Sequence, residues 1–475
     1  MKIIGREREI RKLNDAYESN RSEFIAIYGR RRVGKTYLVR ELFNDRFTFY
    51  TAGRENIPKS VQLLNFRDSL ETYGLETPPK FHNWIEAFSS LKKLILKSDQ
   101  KRKIIFIDEI AWMDNQKSEF LSVLEGFWNE WASMRDDILL IICASATSWI
   151  IKKVFHNRVG LYNRLTGKIN LEQFTLHECE EYVQENNLGL SRIQILSLYM
   201  VIGGVASYWA ELKKGYSASQ NIEELFFTKD ALLRREFKAL YSSLFKSPEN
   251  YIKVITALGS RSTGLSRTEI AKETGLSNNS VLGDMLEELV ECGFLYQYLP
   301  FGKRKNGRVY RVIDSFSLFY FQFLSDEIRT PLWSRIQASA EYRTWCGLSY
   351  ERVVLMHLKE VKRKLGIEGV ETDTNCWFSD NRKLEDGERG AQIDLLIDRA
   401  DNLINIVEVK WSENGEPYLM TRDMELNLQN KKRVLIEQTG TRKGIHFTLV
   451  TVGGMQRNCY SEIIQSEITL DDLFA

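Results

Sequence analysis

Apolar residues in the first third of the chain gather in short unbroken runs, set between longer stretches where they recur at helical spacing. Phe24-Ile-Ala-Ile-Tyr28, Phe47-Thr-Phe-Tyr50, Lys103-Ile-Ile-Phe-Ile107 and Ile138-Leu-Leu-Ile-Ile-Cys143 read as strands buried on both faces. Between two of them, Phe120, Leu121, Leu124, Phe127, Trp128 and Trp131 mark one side of a helix. Buried strands alternating with helices imply a parallel sheet covered on both faces, and we assign residues 1–172 to it.

Beyond residue 172 the strand pattern stops, and helix-like sequence runs over 173–245, with Gly203-Gly204 marking a helix boundary. Residues 246–313 change to short helices followed by two strands. A helical, aromatic-rich connector around Phe316 to Phe323 opens the last region, 314–475. That region returns to alternation, with Ile393-Asp-Leu-Leu-Ile397 and Ile404-Asn-Ile-Val-Glu-Val409 its clearest strands.

At 475 residues the chain exceeds one ordinary core, and roughly three domains are expected. A net charge of +2 provides no global basic field, so any surface for nucleic acid must be a local patch. The polar start Met1-Lys-Ile-Ile-Gly-Arg-Glu-Arg-Glu9 lacks the apolar stretch of a secretion signal, and the run Ile138–Ala144 is too short to cross a bilayer. Cys143, Cys179, Cys292, Cys346, Cys376 and Cys459 are scattered without a Cys-x-x-Cys pair, so no zinc site is expected. A reducing cytoplasm fits these features.

Gly29-Arg30-Arg31-Arg32-Val33-Gly34-Lys35-Thr36 follows a strand and opens a helix at Tyr37. Glycines there allow backbone N–H groups to curl around phosphates, and the helix start adds partial positive charge. Lys35 is expected to reach the β- and γ-phosphates of ATP, and the Thr36 hydroxyl to bind Mg²⁺. Gly29 through Tyr37 are the nucleotide-binding candidates. Downstream, Ile104-Ile-Phe-Ile-Asp108-Glu109 delivers two carboxylates at a strand's C-terminal end. Asp108 would hold Mg²⁺ through water, and Glu109 would orient or deprotonate the attacking water.

With these motifs the chain resembles the AAA+-like prokaryotic ATPases related to the STAND group. Ile4-Gly-Arg-Glu-Arg-Glu9 looks like that family's opening motif. Ala144-Ser145-Ala146-Thr147 resembles its sensor segment, which implies Ser145, or alternatively Thr147, as the group that senses the γ-phosphate. Leu161-Tyr-Asn-Arg164 is similar to the segment carrying an arginine, implying Arg164 as a γ-phosphate contact in cis or across a subunit boundary of a homo-oligomer. Gly203-Gly-Val-Ala-Ser207 looks like the Gly-Gly-x-Pro element with the proline absent.

Ser266 caps a helix that Gly275 ends, a second helix spans Ser277–Val290, and strands follow at Phe294–Tyr298 and Arg308–Ile313. Two helices and a basic hairpin make a winged helix-turn-helix, in agreement with the family resemblance. It would set Asn278, Asn279 and Ser280 near a DNA groove and Lys303, Arg304 and Lys305 on phosphates. Asp284, Glu287 and Glu288 oppose a polyanion along the same helix, and a wing that only packs between domains is the alternative.

In the last region Glu408 and Lys410 share one face of a strand because side chains alternate, and Asp394 lies on the strand before. Two carboxylates and a lysine suit Mg²⁺-dependent phosphodiester hydrolysis, with Asp394 and Glu408 as metal ligands. This resembles the PD-(D/E)XK nuclease fold, and Trp345-Cys-Gly-Leu-Ser-Tyr-Glu351 looks like its preceding helix, implying Glu351 as a further carboxylate. The expected protein is therefore α/β: a P-loop parallel sheet with a helical lid, a winged helix-turn-helix and a restriction-endonuclease-like domain. ATP or ADP, Mg²⁺ and DNA are its expected ligands. A regulatory ATP switch with a catalytically silent C-terminal module is the alternative.

Overall fold

The computed structural model describes residues 2–114, 118–145, 147–155, 161, 163–245, 247–259, 264–302, 307–324, 332–379 and 389–475. Two compact units emerge: 1–173 with 205–207 and 242–246, and 174–204 with 208–241 and 247–475.

In the first unit, strands β1 (Glu23–Tyr28), β2 (Phe49–Ala52), β3 (Lys103–Asp108), β4 (Ile138–Ala144) and β5 (Gly167–Asn170) form one sheet in the order β2-β3-β4-β1-β5. All four pairings are parallel. Strand alternation sorts the apolar runs into two cores. Phe24, Ala26, Ile105, Ile107, Leu140 and Ile142 pack on one face of the sheet. Ile25, Ile27, Ile104, Phe106, Leu139 and Ile141 pack on the other. Three expected strands appear nearly in place. The second begins two residues late, because Phe47 packs its ring against Phe106 and is not in the ladder. β5 carries the short sequence Gly-Lys-Ile-Asn, which has no apolar run to signal it. With β3, β4 and β1 parallel and adjacent, their C-terminal ends converge at one edge.

In the second unit, the helix Arg192–Ile202 ends at Gly203 as expected. The helices Arg267–Thr274 and Ser280–Glu291 lie between the first and second strands of a three-stranded antiparallel sheet, in the order β6-β8-β7, made of β6 (Leu265–Ser266), β7 (Leu295–Tyr298) and β8 (Val309–Val312). Ser266 caps the first helix as expected, in a reciprocal cap with Glu269, and Gly275 closes it at φ 71°. The second starts three residues later than expected. Asn279 caps it, its Oδ1 accepting from the N–H groups of Val281 (3.1 Å) and Leu282 (3.3 Å). That amide oxygen is therefore engaged by the helix start. Lys303, Arg304 and Lys305 lie outside the described residues.

The rest of the unit is a mixed five-stranded sheet in the order β15-β13-β11-β10-β9, with a small β12–β14 ribbon. Its strands are β9 (Thr372–Phe378), β10 (Gln392–Arg399), β11 (Leu403–Lys410), β13 (Gly444–Thr451) and β15 (Ile464–Ile468); the ribbon pairs β12 (Tyr418–Leu419) with β14 (Met455–Gln456). The helix Arg422–Thr439 is the crossover between the parallel strands β11 and β13. Phe301 N–H donates to Cys376 O (2.9 Å), joining the end of the winged hairpin to edge strand β9. Among the described residues, no helix is long and apolar enough to cross a membrane.

Candidate functional sites

The phosphate loop is shaped by backbone that only glycine tolerates well. Gly29 sits at φ 140°, and a Cβ there would lie 2.2 Å from the Leu171 carbonyl oxygen; Gly34 sits at φ 97° where the helix Lys35–Leu42 begins. Lys35 is buried, and its Nζ donates to the carbonyls of Gly29 (2.9 Å) and Arg30 (2.8 Å). Thr36 Oγ1 donates to Asp108 Oδ2 at 2.6 Å, joining the loop to the end of β3. Burial pushes the Asp108 carboxyl above its ordinary value; the Thr36 hydrogen bond opposes this and the Glu109 charge adds to it.

Glu109 follows in left-handed backbone at φ 46°. Its carboxylate is gripped by one residue of β4's C-terminal turn: Ser145 Oγ donates to Oε1, and Ser145 N–H donates to Oε2 (3.1 Å). The segment Val205–Ser207 returns to the same loop, with Ser207 N–H donating to Arg32 O (3.1 Å). Thus the element that departs from the family's proline pattern still touches the phosphate loop. Val33 is buried, while Tyr37 is exposed and Arg31 lies 4.0 Å from Glu55. Arg164 is exposed, and among the described residues no ion pair ties it to the site. The side chain of Thr147 lies outside the described residues.

A second constellation lies in the C-terminal sheet. Glu351 from the helix Ala340–Met356, Asp394 from β10 and Glu408 from β11 line one opening of about 20 Å³ with Arg311 from β8. A β-bulge positions Asp394: the ladder between β10 and β9 shifts so that Asp394 and Leu395 together oppose Cys376. Asp394 Oδ1 accepts from Gln392 Nε2 (2.6 Å). Glu408 is held at both oxygens, by Lys410 Nζ (2.8 Å) and by Lys431 Nζ (2.7 Å) from the crossover helix. Burial alone would raise the Glu408 carboxyl, but Lys431 and Lys410 outweigh it and keep its pKa below the ordinary range. Burial would likewise lower the Lys410 ammonium, and Glu408 raises it above its usual value.

Arg311 Nη2 bonds Glu351 Oε2 at 3.0 Å. The Glu351 carboxyl is nevertheless raised, first by burial and then by the Asp394 charge, with Arg311 opposing. Beside it Arg352 is wholly buried, and desolvation pushes its guanidinium down to about 9. The carboxylates therefore meet at one opening but do not converge on a common point. Among the described residues, no group of three or more His, Cys, Asp or Glu side chains is arranged to hold a metal ion.

Residues 3–212 match the family profile of an ATPase domain predominantly from Archaea, and residues 247–298 match that of an IclR helix-turn-helix domain. Residues 3–212 are a P-loop ATPase domain. A helix-turn-helix region follows it. An uncharacterized protein of Methanocaldococcus jannaschii is 25% identical over 422 residues, covering 86% of this chain and 88% of its own. A Walker-type ATPase of Pyrococcus abyssi shares the fold, with a TM-score of 0.50 at 17% identity, over 67% of this chain and 96% of its own. The ORC2 protein of Aeropyrum pernix aligns with a TM-score of 0.42 at 13% identity, over 67% of this chain and 93% of its own.

In the ATPase domain the structure brings together Lys35, Thr36, Asp108, Glu109 and Ser145, while Arg164 is exposed. In the C-terminal sheet it brings together Glu351, Asp394, Glu408 and Lys410. Sequence reasoning missed Lys431 and Arg311. Lys431 lies 23 residues from Glu408 and Arg311 lies 40 from Glu351, so no local spacing signals either contact.

Proposed function

We propose that the chain is an ATP-driven protein acting on DNA, whose C-terminal sheet carries a phosphodiester-cleaving site of the PD-(D/E)XK type. The observation that carries the nucleotide half is the Thr36–Asp108 hydrogen bond in front of the buried Lys35. It joins the two halves of a P-loop site, which lie 72 residues apart in sequence. Mg²⁺ held by Thr36 and Asp108 would supply charge neutralisation for the β- and γ-phosphate oxygens. For its part, Lys35 exchanges the Gly29 and Arg30 carbonyls for phosphate oxygens. Glu109 releases Ser145 to orient the attacking water and take its proton. The exposure of Arg164 favours a role across a boundary between two copies of the chain. Calorimetry with ATP and ADP in the presence of magnesium tests this half directly: uptake by the wild type that is lost in Lys35→Ala is expected, and no uptake by folded wild type overturns it.

Helix-turn-helix recognition of DNA would proceed through the N-terminal end of Ser280–Glu291, with Asn278, Asn279 and Ser280 as the groove candidates. For the C-terminal sheet, the residue types suit phosphodiester cleavage: three carboxylates, with lysines beside one of them. Among the described residues they do not form a metal-ligand set. That arrangement favours a second reading, in which the sheet is a silent binding module of an ATP-controlled switch. Incubation with DNA and with RNA, with several divalent metals and with or without ATP, separates the two. Cleavage that disappears in Lys410→Ala supports the nuclease; no cleavage together with tight nucleotide retention supports the switch.

A further inference from the structure

The segment Val205–Ser207 belongs to the ATPase unit, although the residues before and after it belong to the other. Its flanks are fixed. Gly203 turns at φ 62°, and its carbonyl accepts from the indole Nε1 of the buried Trp209 at 2.7 Å. At Gly204 a Cβ would lie 1.9 Å from the Phe174 carbonyl oxygen, an approach that only glycine permits. Phe174 N–H donates to Gly204 O (2.7 Å) from the same side. After these anchors Val205 is fully buried, and the next two residues meet the phosphate loop. A Cβ on Gly34 would lie 4.0 Å from Ala206 Cβ, an ordinary van der Waals contact. Ser207 N–H donates to Arg32 O (3.1 Å), which leaves the hydroxyl as the residue's other donor.

That hydroxyl is the unusual feature. Ser207 Oγ is shut off from solvent, and among the described residues nothing bonds to it. A buried polar group left unpaired is rare and destabilising, so its place needs a reason. Lys35, on the same loop, spends its ammonium on the Gly29 and Arg30 carbonyls; Ser207 Oγ has no such substitute. We propose that Ser207 is a nucleotide-binding residue, whose hydroxyl donates to the phosphates that ATP and ADP have in common. This rests on the reading of residues 29–36 as a nucleotide site. Arg32 and Gly34 belong to the loop whose backbone N–H groups cradle the α- and β-phosphates, so a donor held against both lies at that part of the ligand. A serine hydroxyl turns its proton to suit its partner, and an ionised phosphate is a stronger acceptor than a neutral carbonyl.

Calorimetry of the full-length protein with ADP and with ATP in the presence of magnesium tests the contact, beside thermal unfolding without nucleotide. Ser207→Ala is expected to bind both nucleotides about tenfold more weakly, the lower end of what a hydrogen bond to a charged group is worth. Without nucleotide its melting temperature should equal or exceed that of the wild type, because the substitution removes a buried hydroxyl that nothing bonds. Unchanged affinity for both nucleotides overturns the proposal. A loss confined to ATP overturns it too, since the shared phosphates would then not be the acceptor. A lower melting temperature, or failure to fold, makes the hydroxyl part of the scaffold and overturns it as well. No uptake of either nucleotide by folded wild type overturns the nucleotide reading itself, and this contact with it.

Discussion

Glu109 and Glu408 both sit at the ends of strands, buried or nearly so, with both carboxylate oxygens engaged, yet they are held in opposite ways. Ser145 holds Glu109 with a hydroxyl and an amide, both neutral. Lys410 and Lys431 hold Glu408 with two ammonium groups. A hydrogen bond from a neutral donor to a carboxylate contributes about 1.5–3 kcal/mol net, and releasing Glu109 from Ser145 leaves no unpaired charge behind, which is compatible with movement within a catalytic cycle. Breaking a buried ion pair by removing one partner costs about 3–5 kcal/mol, so Glu408 stays put until other charges replace its partners. On the proposed function, Glu109 is the carboxylate that can change partners during turnover, while Glu408 is fixed by its two lysines.

The largest effect that could break this comparison is at the phosphate loop. Lys35→Ala removes the ammonium that must leave two carbonyls for the triphosphate, and a loss of roughly 10²–10³-fold or more in ATP turnover is expected by analogy with removal of one transition-state charge contact. Phosphate-release assays measure it, with Lys410→Ala as the companion that retains turnover. Near-normal hydrolysis by the Lys35 variant would remove the site from consideration.

Next in size are stability effects in the C-terminal sheet, where two glutamates should respond to pH with opposite slopes. The folded-state pKa of Glu408 lies below its ordinary 4.5, so its contribution is present above 4.5 and disappears as pH falls through the folded value. Glu408→Gln should therefore destabilise by about 3 kcal/mol at pH 7, by leaving the part-buried Lys410 and Lys431 without their carboxylate, and by less near pH 4. The folded-state pKa of Glu351 lies above 4.5, so its contribution is complete below 4.5 and is lost as pH rises through the folded value. Glu351→Gln should cost most in acid and least at neutral pH. Denaturant unfolding of both variants at pH 4 and pH 7 checks the crossing; parallel pH dependences would mean the two carboxylates share one environment.

The two sites also differ in how much of them the sequence discloses. The phosphate loop is contiguous, and its glycines, lysine and threonine announce the backbone they require. Asp108 and Glu109 follow an apolar run that is a strand under any reading. In the C-terminal sheet the alternation of Glu408 and Lys410 is equally legible, because a strand has a fixed period. The features that decide the behaviour of that site are not local. Lys431 reaches Glu408 from a crossover helix, Arg311 reaches Glu351 from another domain's hairpin, and a bulge that no residue type signals sets Asp394. The same holds on a smaller scale for β5, whose Gly-Lys-Ile-Asn is a strand only because β1 offers it an edge. Asn279 shows how a cap shifts a boundary: its Oδ1 accepts from two amide donors, so the helix starts at Ser280 and not at Ser277.

The smallest expected effect sharpens the comparison most, because it asks whether Ser145 restrains Glu109 or reads the γ-phosphate. Ser145→Ala removes the hydroxyl donor and leaves the backbone N–H on Oε2. If the hydroxyl is chiefly a restraint, Glu109 spends more time turned to the water, and basal turnover rises about tenfold, the lower end of what one hydrogen bond to a carboxylate is worth (about 1.5–3 kcal/mol), since the backbone N–H still holds Oε2. Nucleotide affinity should not change, since the hydroxyl is engaged by Glu109 and not by the phosphate loop. If the hydroxyl is chiefly a contact to the γ-phosphate, turnover falls and ATP loses its advantage over ADP in binding. The geometry of two Ser145 donors on one carboxylate favours the rise, and steady-state kinetics beside ATP and ADP titrations on the same preparation give the sign.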